Sequence, residues 1–507
     1  MARSKKRVAE LVARFQEGLE SGKMRADEAT WIIAQLQEMA DQAVPHLIEV
    51  LSAPERDMRA AALTLLRDLE DRRAVPVLRR LLNDPDYDDD ERMFIIQILE
   101  ELGFTVDEAT FRRVIADPEA MMERAMNNML EVVSDPAQAE IILTEIDENW
   151  PEEMQLHYVR NILQPLADRR LLLILSALLH SEHDEVILAA IETLESLKEP
   201  AAIPLLEERG QYDPSPRVRR AAGNAALRLQ MRIGDQPPQP WLQAPSLPLT
   251  HCMISSIDGN GGQVLFLARR TPDGDLYSVD WMFNDHQGVK DCFSTEMEED
   301  ELDLMAASFG IGIDFIDIRL ERAREAIVNA CQVNLEAQRR FPVVSVLWRG
   351  WLEGEDDLEV EEFPLPVLDP ARQAELLADC NDLLQLDEFS AWFFNPDEVE
   401  EFGDCYRELK EAGRTKGRRR SLDALIDQAV ESLIDEPYRR LLSNRLRRQA
   451  WLLAQLYEEE VIPLWALAAA AALEEGVVVG HPLLRGMMHA SFLNIEGQLW
   501  GMWDVAD

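Results

Sequence analysis

Between about residues 44 and 229 the apolar positions fall into blocks that recur. Met58-Arg59-Ala60-Ala61-Ala62, Val186-Ile187-Leu188-Ala189-Ala190 and Val218-Arg219-Arg220-Ala221-Ala222 superpose without a gap, the last two 32 residues apart. Upstream lies a second block, Val44-Pro45-x-Leu47, Val75-Pro76-x-Leu78 and Ile203-Pro204-x-Leu206, whose first two prolines are 31 apart. The spacing predicts paired helices, A and B, in every unit. In the first, helix A covers about 44–52, Ala53-Pro54-Glu55 turns the chain, and helix B runs to about Leu69. The second covers about 74–102 and turns at Asn83-Asp84-Pro85-Asp86, while the fifth and sixth turn at Ser181-Glu182-His183-Asp184 and Asp213-Pro214-Ser215-Pro216. Units three and four, about 105–134 and 138–168, rest on spacing alone, and two further helices near 5–20 and 26–40 cap the array. A period in this range means units that bury their apolar faces on one another in a row.

Each device has a physical reason. A proline in the first turn of helix A lacks only an N–H that would be orphaned there. Paired alanines in helix B let neighbouring helices approach closely, and Asp or Ser in the turn caps helix B. With its Pro-x-Leu in helix A and apolar-x-x-Ala-Ala in helix B, the segment resembles the HEAT repeat family in its short bacterial form. That resemblance implies an α-solenoid. Proteins of this kind serve as protein-binding scaffolds, cofactor-attachment lyases and nucleic-acid binders, so it leaves function open.

The period changes beyond Pro237-Pro238-x-Pro240, Pro245 and Pro248, a stiff linker over about 233–248. Residues 263–268 form a continuous apolar run, and Tyr277, Val279, Trp281 and Phe283 alternate with their neighbours. With about 250–257 they predict a three-stranded antiparallel meander turning at Asp258-Gly259-Asn260-Gly261-Gly262 and Pro272-Asp273-Gly274-Asp275. A helix over about 317–339, with Leu320, Ala323, Ile327, Ala330, Cys331 and Leu335 on one stripe, covers the sheet, and 341–351 is expected to add a strand. The result is a small α+β domain, 249–352. Successive hairpin turns alternate between sheet ends. The 258–262 loop and the Asn284-Asp285-His286-Gln287-Gly288 turn therefore share an end, bringing together Asp258, Asn260, Asn284, Asp285 and His286 as a candidate polar site for a hard cation or polar ligand. The same residue types are also what turns are ordinarily made of.

Seven carboxylates in residues 353–362, followed by Phe363-Pro364-Leu365-Pro366, read as an acidic linker over 353–369. Helices follow near 370–386, 397–411, 421–434, 437–458, 460–475 and 482–494, making a C-terminal helical region, 370–507. Inside it Arg414, Lys416, Arg418, Arg419 and Arg420 form a basic cluster, extended by Arg439, Arg440, Arg445, Arg447 and Arg448. Such a patch docks an anionic partner, pairs with the chain's own acidic segments, or is a plain solvated helix face. No aromatic residue interleaves 414–420, which removes the usual signal for stacking bases.

Composition narrows the choices. With 95 acidic against 51 basic residues the net charge is −44, which argues against nucleic acid as a general partner. Five scattered cysteines without a C-x-x-C pair suit a reduced, cytoplasmic protein. The longest apolar run, 461–473, is short of the ~20 residues of a membrane helix. His180-x-x-His183 has no third ligand at metal spacing. His251 and Cys252 point to opposite faces of a strand, Gly310-Ile311-Gly312 lacks a third glycine, and G-x-x-x-x-G-K and G-x-S-x-G are missing. Met121, Met122, Trp465, Trp500 and Trp503 sit at helix-packing positions.

The pattern is mainly α: an N-terminal HEAT-like solenoid over 1–232, the α+β domain with its meander, and the helical region. The leading expectation is a non-enzymatic scaffold whose concave solenoid face binds a protein partner, without membrane or cofactor. The alternatives are an enzyme or chromophore lyase using the Asp258–His286 loop cluster, and nucleic-acid binding through the 414–448 patch.

Overall fold

The computed structural model describes residues 2–21, 24, 26–234, 245–309, 313–354, 358, 360–411 and 416–495. Outside them lie most of the proline-rich linker, Gly310-Ile311-Gly312, residues 355–357 and 359 of the acidic strip, Arg414, Trp500 and Trp503; the side chains of Lys416, Arg418, Arg419 and Arg420 are also not described. The chain groups into two compact units, Met1–Met129 and Leu130–Asp507. This division cuts the repeat region, whereas composition placed the first boundary at 232.

The first unit holds α1 (Ala2–Ser21) and α2 (Ala26–Glu38), then the A/B pairs α3 (Ala40–Val50) with α4 (Arg56–Asp68), α5 (Val75–Leu81) with α6 (Asp89–Glu101), and α7 (Glu108–Val114) with α8 (Pro118–Ser134), within which the boundary falls. Apolar stripes of these helices meet in one core that includes Val8, Leu11, Leu47, Leu66, Leu78 and Ile98. Ala61 and Ala62 are buried on α4 as their spacing required. Two expectations about helix ends are corrected. Only Met39 separates α2 from α3, so α3 starts early and Pro45 lies inside it rather than in its first turn; Pro76 does occupy the start of α5. Among the B helices, Asp88 caps α6 in a reciprocal box with Glu91, but Glu55, His183 and Ser215 make no side-chain cap.

In the second unit the array continues with α9 (Pro136–Asn149), then α10 (Glu152–His157), a π-helical turn over Tyr158–Leu163 and α11 (Gln164–Leu166). Pro165 has no N–H to return to an α-helical partner, a cause for the wider turn just before it. The pairs α12 (Leu172–Leu178) with α13 (Asp184–Leu197) and α14 (Ala202–Tyr212) with α15 (Pro216–Ile233) complete the repeats.

A five-stranded antiparallel sheet follows, ordered β4-β3-β2-β1-β5. Its strands are β1 (Leu249–Ser255), β2 (Gly262–Arg270), β3 (Leu276–Asn284), β4 (Gly288–Met297) and, after α16 (Leu302–Ser308), β5 (Phe315–Asp317). The three expected strands are present; β4 and β5 are additions. α17 (Leu320–Glu336) lays Leu320, Ala323, Ile327 and Ala330 on the sheet, and the other face packs Phe266, Ala268, Leu276 and Met297 against Leu302, Met305 and Phe315. The strand expected over 341–351 is instead α18 (Val343–Leu347) and a 3-10 turn, Trp348–Leu352. Most of its residues are buried, being packed against α9, α12 and β4, and a segment buried all round carries no period to tell strand from helix.

The C-terminal helices α19 (Gln373–Asp379), α20 (Pro396–Glu411), α21 (Lys416–Leu433), α22 (Glu436–Leu456), α23 (Val461–Glu474) and α24 (Pro482–Ile495) share a core built on Trp392, Phe394, Leu446, Leu467 and Met488. Trp465 packs against this core, whereas Met122, in the first unit, is 63% exposed rather than packed. No described helix is long and apolar enough to cross a membrane.

Candidate functional site

The two hairpin turns do meet at one sheet end. Asp258 accepts from the Asn260 and Gly262 amides at 2.8 and 2.7 Å, and Asn284 Nδ2 donates to the Asn260 carbonyl at 2.8 Å. Asn284 Oδ1 in turn accepts from the His286 amide at 2.9 Å, while His286 Nδ1 lies 3.3 Å from Asp285 Oδ1. All five candidate residues are therefore neighbours. Their polar atoms are largely committed, however, and not only to one another.

Arg445 of α22 closes the arrangement. Its Nε and Nη2 each donate to the Asp285 carboxylate at 3.0 Å, its Nη1 donates to the Gly259 carbonyl, and Arg448 Nη2 adds a 3.0 Å bond to Asp285. Arg445 is 1% exposed. Close by, Gln449 Oε1 accepts from the Ile257 amide and Trp392 Nε1 donates to the Ile257 carbonyl. Burial pushes the Asp258 carboxyl up despite the amides it accepts from. Gly261, at φ +84°, is required here, since a Cβ would collide with the Asp285 carboxylate and the Arg445 guanidinium. The cluster thus fastens the sheet to the helical region. Among the described residues no group of three His, Cys, Asp or Glu is placed to hold a metal ion.

Beside this fastening runs an open trough of about 540 Å³. One wall is an α17 stripe (Arg322, Ala326, Asn329, Val333) and the other an α22 stripe (Leu441, Asn444, Arg448, Trp451), with Ile254 and Phe283 on the floor. Arg322 lies 4.0 Å over the Trp451 ring and donates to Glu362 at 3.1 Å. A larger cavity of about 780 Å³ opens beside α12 and the Tyr277, Trp348 and Trp351 rings. These rings pack on one another 5.2–5.6 Å apart, with Trp348 Nε1 held by Glu140 and the Tyr277 hydroxyl by Ser294. Its aromatic wall is thus already committed.

A third arrangement concerns the repeats. In the first, Arg59 Nη1 reaches back from helix B to the turn carbonyls of Ala53 and Pro54, six and five residues earlier, and the guanidinium also pairs with buried Glu91 of the next B helix. Arg219 makes the same reach to Asp213 and Pro214. The fifth unit has Ile187 at this position. There the carbonyls six and five residues back, Ser181 and Glu182, accept instead from Arg340 Nη1 at 3.0 and 3.1 Å, delivered by the α17–α18 connection. Arg340 also bonds Asp184 at 2.6 Å and fully buried Asp213 at 3.1 Å, and the Phe341 amide donates to His180 Nδ1. Burial and the surrounding arginines hold His180 well below its usual range, so it is neutral and can accept that bond.

Residues 44–125 and 139–227 match the family model of HEAT repeats. The N-terminal region is a HEAT-repeat array. Comparison of the sequence with curated proteins gave no match.

Among the described residues, the α+β segment packs on A helices of the HEAT units in the second compact unit. α18 and its 3-10 turn pack on the A helices α9 and α12, where Glu140 accepts from Ser294 and Trp348. The B helices α13 and α15 leave between them a cleft of about 460 Å³ lined by Arg160, Glu192, Arg217, Arg220 and Asn224. Of the basic cluster, Arg447 pairs with Glu474, Arg448 with Asp285 and Arg440 with Glu436, while Arg439 donates to the last carbonyls of α23. The described part of the patch is thus paired within the protein, and two of its members, Arg445 and Arg448, lie at the loop cluster. Sequence reasoning missed Arg340; the one signal for it was the missing arginine at position 187 in an otherwise recurring block.

Proposed function

We propose that this protein is a non-enzymatic interaction scaffold that binds a protein partner on the B-helix face of its HEAT units. One observation carries the reading: the α+β segment packs on the A helices α9 and α12, while among the described residues Glu192, Arg220, Asn224, Leu227 and Met231 of α13 and α15 are exposed. Repeats stacked in a row commonly offer such a face to other proteins. The face is a laced charge surface, with Arg217–Glu185 and Arg228–Glu195 pairs crossing from one B helix to the next, and Leu227 and Met231 exposed beside them. Mixed charge around scattered apolar anchors suits a protein partner better than a phosphate backbone, given the acidic excess. Against an enzymatic reading stands the loop cluster, whose carboxylates are spent on Arg445, Arg448 and turn amides.

The test is affinity capture with the full chain and two variants. Arg217→Glu with Arg220→Glu should lose partners that the wild type retains, and Arg440→Glu, on exposed α22 surface, should keep them. Identical capture by all three proteins would remove the B-helix face from the account.

A further inference from the structure

The trough between α17 and α22 has features that fastening the sheet does not require. Its walls are single stripes, at spacings of three, four and seven residues, so each helix presents one continuous face to the other. From Arg322 to Val333, and from Leu441 to Leu452, each wall is roughly 17 Å long at 1.5 Å per residue. The helices run antiparallel across it. The start of α17 meets the end of α22 through Arg322–Trp451, and beyond the end of α17 Arg339 reaches the Gln287 carbonyl, near the Asp285–Arg445 pair. Ala326 and Ala330 sit where larger side chains would fill the gap, and their small size keeps it open. About 540 Å³ lies within the range of small-molecule pockets, ~300–1,000 Å³.

The chemistry of the lining is divided. The floor and lower walls are apolar: Ile254, Phe283, Val333, Leu441 and Leu452. Along the rim stand three guanidiniums, Arg322, Arg447 and Arg448, paired with Glu362, Glu474 and Asp285; buried Arg445 shares Asp285, so these four cations exceed their three carboxylates by one charge. In a chain of net charge −44 this is a local reversal of sign. Arg448 spends one nitrogen on Asp285 and Arg447 keeps Nη1 outside its Glu474 pair, so several N–H donors face no partner among the described residues. The Asn329 and Asn444 side chains, one on each wall, likewise have none there.

We propose that this trough binds an amphipathic organic anion. Its apolar body lies on Phe283, Val333 and Leu452, and its carboxylate or phosphate head meets Arg447 and Arg448, with Asn329 and Asn444 beside it. A polynucleotide fits poorly, because the enclosed floor is apolar and offers no groove for a run of phosphates.

The test uses the full chain and three probes of one chain length, octanoate, octyl phosphate and octan-1-ol, followed by Trp451 fluorescence against a Trp451→Phe control and by calorimetry. The expected result is saturable binding of at least one anion, with the alcohol at least about tenfold weaker. Arg447→Gln with Arg448→Gln should weaken the anion at least about tenfold and leave the alcohol unchanged. Ala326→Phe, which fills the trough, should abolish both. Thermal midpoints without ligand establish that each variant is folded; both arginines are exposed, so the charge variants provide the test even where Ala326→Phe is unstable. Equal binding of alcohol and anion, indifference to the arginine changes, or no binding of either anion would overturn the proposal. These readouts are separate from partner capture on the B-helix face, so either idea can fail alone.

Discussion

Arg340→Ala is the most informative single change. The guanidinium serves two carbonyls of a HEAT turn and two carboxylates, of which Asp213 is fully buried. Removing one partner of a buried ion pair costs about 3–5 kcal/mol, because the other charge is stranded. Arg209 Nη1 remains 3.5 Å from Asp213, which puts the expected loss at the lower end, about 3 kcal/mol. That corresponds to roughly a hundredfold in the opening equilibrium. The assay is hydrogen exchange followed by mass spectrometry on the full chain. Peptides covering 341–352 and the 181–184 turn should exchange roughly a hundredfold faster, while peptides of Met1–Met129 stay unchanged. A second variant tests the specific idea that Arg340 fills a vacant repeat position. Ile187→Arg added to Arg340→Ala should restore part of the protection, because it returns the guanidinium from helix B as Arg59 and Arg219 do. Exchange at 341–352 that is indifferent to Arg340→Ala would refute the reasoning.

Four further outcomes follow from the same geometry. Burial raises the Asp184 carboxyl, but the Ser215 hydroxyl and Arg340 outweigh it and hold it below its usual value. Asp184's share of the fastening is therefore complete at neutral pH and lost as pH falls below the usual carboxylate range, which a pH series of the same exchange experiment checks. Asp280, at the centre of β3 with neither oxygen hydrogen-bonded among the described residues, is pushed up to about 8 by burial. Its folded state holds a proton that the unfolded chain releases, so stability falls as pH rises from about 4 to about 8; Asp280→Asn should remove that slope and gain up to about 5 kcal/mol at pH 9, read by denaturant midpoints. Gly261→Ala should cost about 2 kcal/mol or more, from left-handed backbone strain plus collision with the Asp285–Arg445 pair, measured by thermal unfolding. In the first unit, Arg59→Ala strands Glu91, itself 6% exposed, and should cost about 3 kcal/mol, read by exchange in α4 and α6.

How much of this was legible depended on whether a side chain answers to its neighbours in sequence or to distant ones. The repeat helices, the three central strands and six C-terminal helices follow from local periods, and the shared end of the two hairpin turns follows from strand alternation. β4 escaped because its period is broken: Val289 pairs with Phe283 and Asp291 with Met282, leaving Lys290 as an extra residue, so Lys290 and Asp291 are both exposed. The 341–351 segment misled because contacts on every side erased its period. At the candidate site, turn composition located the five polar residues but not their owners. Asp285 and Arg445 lie 160 residues apart, and no local pattern records that pairing.

The most direct test of the account compares labelling rates of single cysteines introduced into the full chain. Glu192→Cys on α13 and Asn224→Cys on α15 sample the B-helix face, and Ser345→Cys on α18 samples the junction with the A helices. A maleimide should modify the first two rapidly and Ser345→Cys slowly, with a captured partner slowing only the first two. Rapid modification at Ser345→Cys alongside protection at Glu192→Cys and Asn224→Cys in the free protein would mean that the wrong side of the repeats had been taken as the open one.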